Sequence, residues 1–385
     1  MKFLHLGDLH IGKSLGEFSL IEDQKFILDQ ILDAAKKHSV DGVLIAGDVY
    51  DKSIPSEDAV SLFDYFIRQL ADRKIKTFVI SGNHDSDERL NFGSSLFEKN
   101  GLYISAKYEG TLYKQELEDE YGIINVYLLP FVKASQVRYF FPEEEIDSYD
   151  RAVRTVLDHT KINKKERNIL VAHQFVAGKG EDPVMGGSES QAVQNVGLVE
   201  KIGADCFRDF DYVALGHIHS PQKVGREEVR YSGSPLKYSL SEVTNDKSFP
   251  IVTLGKKGDV SIELVKFEPL RDLRHLKGRM EQLLDKKNIK SPDDFIYATL
   301  TDEEIINDAM GIFQHYYPNT IKIDYDNSHT RQIEQVDITR ITEDKSFAEL
   351  ISDFYRFVYG CEISEEEMDI MNEIAGEAGV IDETD

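Results

Sequence analysis

Five short clusters in this sequence carry the side chains best suited to chemistry. They are Gly7-Asp8-Leu9-His10, Gly47-Asp48-Val49-Tyr50-Asp51, Gly82-Asn83-His84-Asp85, Ala172-His173-Gln174 and Gly216-His217-Ile218-His219. Carboxylates, an amide oxygen and imidazoles without a thiolate suit hard or borderline divalent ions, with manganese or iron ahead of a structural zinc. Asp8, His10, Asp48, Asn83, His173, His217 and His219 are seven candidate ligands, enough for two ions if one carboxylate bridges them. One such cluster alone is more often a turn or a helix cap. Five in succession, each closing an apolar strand pattern, make a constellation.

The clusters need strands that end together. Apolar runs at Lys2–Leu6, Gly42–Ala46 and Thr77–Ser81 predict strands, and helical periodicity over Leu20–Lys37 and Ser56–Asp72 makes βαβ units of them. Later runs at Ile123–Leu129, Ile169–Ala172, Tyr212–Leu215, Arg230–Tyr231, Ile251–Leu254 and Val260–Val265 lie closer together, as in a more antiparallel sheet. The fold class is therefore α/β, a sandwich of two β-sheets flanked by helices. In open α/β sheets ligands bind beyond the carboxyl ends of the strands, and the glycine that opens four of the five clusters permits the tight turn required there.

After Glu268 the pattern becomes helix (Leu276–Leu284), strand (Phe295–Leu300), helix (Glu303–Tyr316) and strand (Thr320–Asp324), which predicts a small α+β capping domain. From Ser346 onward, helical stretches at Phe347–Val358 and Ser364–Gly376, joined at Gly360, predict a C-terminal helical segment. The expected domains are 1–268, 269–330 and 331–385. More than one is required, because 385 residues exceed the roughly 250–300 at which a single core stops growing.

A net charge of −25 argues against a broad phosphate-binding surface, but the charge is unevenly spread. Between Arg331 and Asp385 there are 16 acidic and 4 basic residues, which accounts for 12 of the 25 excess negative charges. Between Arg271 and Lys290 the balance reverses, with Arg271, Arg274, Lys277 and Arg279 leading a basic face. Bound divalent ions would add positive charge that the sequence count omits. Cys206 and Cys361 stand alone and read as two buried thiols. No apolar run approaches the roughly 18 residues of a membrane span. The N-terminus reads directly into a strand without the regions of a signal peptide, so a cytoplasmic protein is expected.

In order, these clusters resemble the calcineurin-like metallophosphoesterase superfamily, whose pattern is DxH, GDxxD, GNHD, a later H, then GHxH. Within it, HLGDLHIGK, VAHQFVAG around His173, GHIHSPQ and YSGSPLKYS from Tyr231 resemble the SbcD family, nuclease subunits of bacterial SbcCD complexes. The resemblance covers nearly all of residues 1–270 and continues more loosely beyond. It implies one ion on Asp8, His10, Asp48 and His219 and a second on Asp48, Asn83, His173 and His217, with Asp48 as the bridge. Such ions lower the pKa of a water between them and neutralise charge on the phosphoryl oxygens. It further implies that His84 contacts the phosphate and donates a proton to the leaving oxygen, a role imidazoles often serve, and that Asp85 orients His84. Asp85 reads equally well as the N-cap of a helix over Ser86–Leu90. Asp51 departs from archaeal and eukaryotic relatives, which often carry His there. His5 and His275 show no partner in the sequence.

The resemblance implies a manganese-dependent DNA nuclease, exonuclease on duplex ends and endonuclease on hairpins, serving DNA repair, recombination and replication at the nucleoid. It implies a homodimer within a heterotetramer containing an SbcC-type SMC-like ATPase. The chain itself has no GxxxxGK[ST] phosphate loop, so any ATP dependence belongs to a partner. A phosphatase or phosphodiesterase of the same superfamily acting on a non-DNA substrate is the alternative. A noncatalytic DNA-end scaffold is weakest, because no ligand is missing. Arg271, Arg274, Lys277 and Arg279 are the candidate DNA contacts. The stripe Phe347, Leu350, Ile351, Phe354, Tyr355, Phe357 and Val358 is too apolar for a solubilising tail and reads as a docking face.

Overall fold

A computed structural model of the chain describes residues 1–180, 182–185, 201–328, 347–359 and 363–377. By compactness the chain divides into two units. One comprises Met1–Lys277, Glu281–Thr299 and Asp308–Ile323, and the other Gly278–Met280, Leu300–Asn307 and Asp324–Asp385.

In the first unit the chain opens with β1 (Lys2–Leu6), α1 (Ile21–Lys37), β2 (Gly42–Ala46), α2 (Glu57–Asp72), β3 (Lys76–Ile80) and β4 (Leu102–Ser105). Helix α1 buries Ile27, Leu28, Ile31, Leu32 and Ala35 on one stripe. Its acidic first turn (Glu22, Asp23) and basic last turn (Lys36, Lys37) complement the helix dipole. Helix α2 starts where Ser56 Oγ accepts from Ala59 N at 3.2 Å. The chain continues through β5 (Tyr113–Asp119), β6 (Gly122–Leu129), α3 (Ala134–Phe140), α4 (Tyr149–Asp158), β7 (Arg167–His173), β8 (Tyr212–Gly216), β9 (Gln222–Val224), β10 (Arg226–Tyr231), β11 (Ser248–Leu254) and β12 (Val260–Lys266).

Two six-stranded sheets result, ordered β12-β11-β1-β2-β3-β4 and β9-β10-β8-β7-β6-β5. Strands β1 to β4 run parallel in the first. Strands β6, β7, β8 and β10 run parallel in the second, which corrects the antiparallel expectation for those runs, whereas β11 and β12 do pair antiparallel, β11 with β1 and β12 with β11. Every residue of β7 and β8 is buried. Continuous burial on both faces is what a parallel, covered sheet requires.

Between the sheets pack Phe3, Leu44 and Phe78 from the first and Val126, Val171 and Tyr212 from the second. The outer faces are covered by α1 and α2 on one side and by α3 and α4 on the other. The layers are helix, sheet, sheet, helix. His5, which the sequence left partnerless, is buried between the sheets. Its Nδ1 lies 2.9 Å from Tyr212 Oη and its Nε2 lies 3.1 Å from the Leu215 carbonyl.

A third sheet joins β13 (Leu273–Gly278), β14 (Phe295–Leu300) and β15 (Thr320–Tyr325), with α5 (Ala309–Tyr316) between the last two strands. The basic stretch expected to begin a helix at Leu276 is mostly strand β13, followed by one helical turn at Met280–Leu283. Leu273 and Phe295 bury with Leu15 and Leu20 in one core, a tertiary pull that overrides weak helix propensity. Helix α5 begins late because Asp308 caps it, accepting from Gly311 N.

In the second unit, helices α6 (Phe347–Tyr359) and α7 (Glu365–Glu377) match the expected tail helices. Tyr355 Oη donates to Glu367 at 2.6 Å. Glu367 also accepts from the Ser364 backbone while Ser364 Oγ accepts from Glu367 N, a capping box opening α7. Phe354, Ile370 and Ile374 are exposed. The expected linker before Phe347 and the Gly360 junction lie outside the described residues, as do the side chains of Phe357 and Val358 and all of Cys361. No helix among the described residues is long and apolar enough to cross a membrane.

Candidate active site

The carboxyl ends of β1, β2 and β3 in one sheet and of β7 and β8 in the other deliver all five clusters to one patch. The loops after β1 and β2 run side by side, with His10 N donating to the Asp48 carbonyl at 2.9 Å and Ile11 N to Val49 at 2.9 Å. Four of the seven candidate ligands, Asp8, His10, Asp48 and His217, have positive φ (52°, 43°, 46° and 101°). Such backbone is costly for non-glycine residues and persists at functional sites where surrounding structure enforces it. Two glycines make the approach possible. A Cβ on Gly216 would lie 1.9 Å from the Ala46 carbonyl oxygen, and one on Gly82 would lie 2.1 Å from Asp48 Oδ1.

Each of the two central carboxylates is held by one oxygen and presents the other. Asp8 Oδ1 accepts from His217 N at 2.8 Å, while Oδ2 is buried with no hydrogen-bond partner. Asp48 Oδ1 accepts from His84 N at 2.9 Å, while Oδ2 lies 3.4 Å from His173 Nε2 and 3.6 Å from His10 Nε2. His10 Nε2 and His219 Nε2 face each other at 3.1 Å. Asn83 Oδ1 lies 3.1 Å from His173 Nε2 and 3.0 Å from His217 Nδ1. Ligand atoms of Asp8, His10 and His219, and of Asp8, Asp48 and His173, lie within 4.8 Å of one another.

An orphaned buried carboxylate oxygen among imidazole nitrogens fits a cation, and the oxygen and nitrogen donors fit a divalent one. Without a cation the charges compensate each other. Burial opposes charge on His173, but Asp48 and Asp8 outweigh it and raise the ring to about 9. Burial and the neighbouring His173 lower His217 to about 3. Burial would raise Asp48, yet His173, His10 and His84 hold it well below the usual carboxylate range.

His84 is half-buried beside His10, with ring centroids 4.9 Å apart. Its Nδ1 lies 3.1 Å from the Asp51 carbonyl. A carbonyl can only accept, so Nδ1 carries the proton and Nε2 remains for exchange with a substrate. Asp85 makes neither contact expected of it. Its carboxylate accepts from Gly82 N (2.9 Å), Val49 N (3.1 Å) and Tyr50 N (2.9 Å), pinning two ligand loops together. Burial, and then Asp48, push it up to about 6. The helix cap is Ser86, whose side chain accepts from Arg89 N. The Asp51 carboxylate pairs with Lys13 at 2.7 Å.

Sequence reasoning missed a supporting layer. Gln24 Nε2 donates to the His10 carbonyl at 2.7 Å and its Oε1 accepts from Gly12 N at 2.9 Å. Tyr238 lays its ring against His10 and His219 and donates to the Leu9 carbonyl. The sequence signals for it are a polar Gln24 on the buried stripe of α1 and the place of Tyr238 within YSGSPLKYS.

The basic segment is largely spoken for. Arg271 pairs with Asp23 at 2.5 Å, and Arg274 pairs with Asp294 at 2.9 Å. Lys277 and Arg279 are exposed. His275 Nε2 lies 2.8 Å from Thr299 Oγ1 across the third sheet.

Two facing sheets whose parallel strands carry aspartate, asparagine and histidine to one patch define a metallophosphoesterase. The calcineurin-like phosphoesterase family matches residues 1–221, and the type 5 capsule protein repressor C-terminal domain matches residues 269–359. A Staphylococcus epidermidis protein, the SbcD component of nuclease SbcCD, is 34% identical over 363 residues, covering 92% of this chain and 93% of its own. Its Staphylococcus saprophyticus counterpart is 32% identical over 367 residues, covering 94% of each chain. The chain belongs to the SbcD family of calcineurin-like phosphoesterases.

Proposed function

We propose that this protein is a metal-dependent nuclease that hydrolyses phosphodiester bonds in DNA, working with an SbcC-type SMC-like ATPase. The observation that carries the reading is Asp48 Oδ2, set between His10 Nε2 and His173 Nε2 at 3.6 and 3.4 Å. That position supports Asp48 as the bridge, with Asp8, His10 and His219 completing one site and Asn83, His173 and His217 the other. Divalent ions bound there, manganese foremost, lower the pKa of a water and neutralise phosphoryl charge. The protein's own part is positioning. His84, with Nδ1–H committed to the Asp51 carbonyl, would act as the imidazolium, giving its Nε2 proton to the leaving oxygen and ending as the neutral ring protonated at Nδ1. Asp85 holds the loops that carry Asp48 and Asn83.

The relatives' name supports DNA as substrate and SbcC as partner, and does not favour a phosphatase with a non-DNA substrate. A family match that begins at residue 269 supports a boundary after 268; the further division into 269–330 and 331–385 is part of the proposal, the second domain guiding DNA through Lys277 and Arg279 and the third docking the ATPase. A homodimer within a heterotetramer completes the proposal. The test is cleavage of linear duplex DNA with manganese. His84→Ala should lower cleavage by about 10²- to 10⁴-fold while isothermal titration still records both ions. Loss of the ions would sink the assignment of His84.

A further inference from the structure

Behind His219 the chain folds back through a one-turn helix at Leu240–Glu242 and enters β11 just after Lys247. Glu242 is fully buried and Lys247 is 7% exposed. Burying an ion pair costs several kcal/mol per charge unless hydrogen bonding compensates. Here Lys247 Nζ donates to Glu242 Oε2 at 2.5 Å, to Ser234 Oγ at 2.8 Å and to the His219 carbonyl at 2.9 Å. Glu242 Oε1 accepts from Ser239 Oγ at 3.1 Å and lies 3.4 Å from His219 Nδ1. One lysine thus grips both the backbone of His219 and the carboxylate facing its ring.

A carboxylate at Nδ1 selects the tautomer in which Nδ1 carries the proton and Nε2 offers its lone pair. Nε2 is the atom turned toward His10 in the site. The other imidazoles are supported differently. His173 Nδ1 lies 2.8 Å from the Ala46 carbonyl, and His10 Nδ1 has no hydrogen bond, with Asp51 Oδ1 3.6 Å away.

We propose that Glu242, locked by Lys247, is a positioning residue that fixes the ring of His219 and sets the affinity of the one ion His219 holds. The inference rests on reading His219 as a metal ligand.

The test is titration of the full chain with Mn2+, counting free ion by electron paramagnetic resonance, with melting curves confirming that each variant folds. Glu242→Gln should weaken one of two sites by roughly 10- to 100-fold and leave the other unchanged. Because that variant strands a buried ammonium, Glu242→Gln/Lys247→Met removes both charges and should show the same one-site loss in a folded protein. Wild-type affinity at both sites of the double variant, or equal weakening of both, overturns the proposal. If the native chain binds no Mn2+, the metal reading of His219 itself falls.

Discussion

Acidification should weaken this fold through His5. Burial drives that imidazole from 6.5 down to about 3, against the favourable bond to the Leu215 carbonyl. Its neutral form joins Tyr212 and Leu215 of the second sheet to β1 of the first. The unfolded chain binds this proton near pH 6.5 and the folded chain does not, so the contribution is complete above about 6.5 and is lost as pH falls toward 3. At about 1.4 kcal/mol per unit, pH 5 removes about 2 kcal/mol and the full window about 5 kcal/mol. Other buried groups titrate in the same range, so the measurement must be a difference. Urea unfolding of the wild type and His5→Gln, both in EDTA, should be compared at pH 7.5 and 5. Glutamine is neutral throughout and of similar size. The variant should start lower, by roughly 1–3 kcal/mol for impaired hydrogen bonds, and lose about 2 kcal/mol less than the wild type on acidification. Parallel losses would refute the reasoning.

Gly82→Ala should abolish ion uptake with the sandwich still folded, since its Cβ would sit 2.1 Å from Asp48 Oδ1. Elemental analysis beside circular dichroism checks this, and a loaded variant would contradict it. Ion affinity should rise with pH below about 9, where the ion-free site keeps a proton on His173 that ligation must displace, by about tenfold per unit. Calorimetry from pH 6.5 to 9 would show a flat profile if His173 is not a ligand. Removing residues from Ser346 onward should leave manganese-dependent cleavage of simple substrates intact and abolish co-purification with the ATPase. Undiminished assembly would show that α6 and α7 are not the main dock.

Much of the site was legible in the sequence because its information is local. Strands β1, β2 and β3 announce themselves as apolar runs, and a polar ligand beside glycine marks where each run ends. Asp8, His10, Asp48, Asn83, His173, His217 and His219 could therefore be named before any contact was known. Left-handed backbone at Asp8, His10, Asp48 and His217 was not legible, because no residue type there demands it and neighbouring loops impose it.

Where the physics is long-range, only the tertiary structure decided. Arg271 and Arg274 look available to phosphate until Asp23 and Asp294 arrive to neutralise them. Asp85 looks like a partner of the adjacent His84 until three backbone N–H groups claim its carboxylate. Glu242 and Lys247 look like surface charges until the chain buries them behind His219. A strand end is a property of a few consecutive residues. The partner of a buried charge is set by whichever distant segment the fold brings within hydrogen-bonding distance, because desolvation makes that contact obligatory.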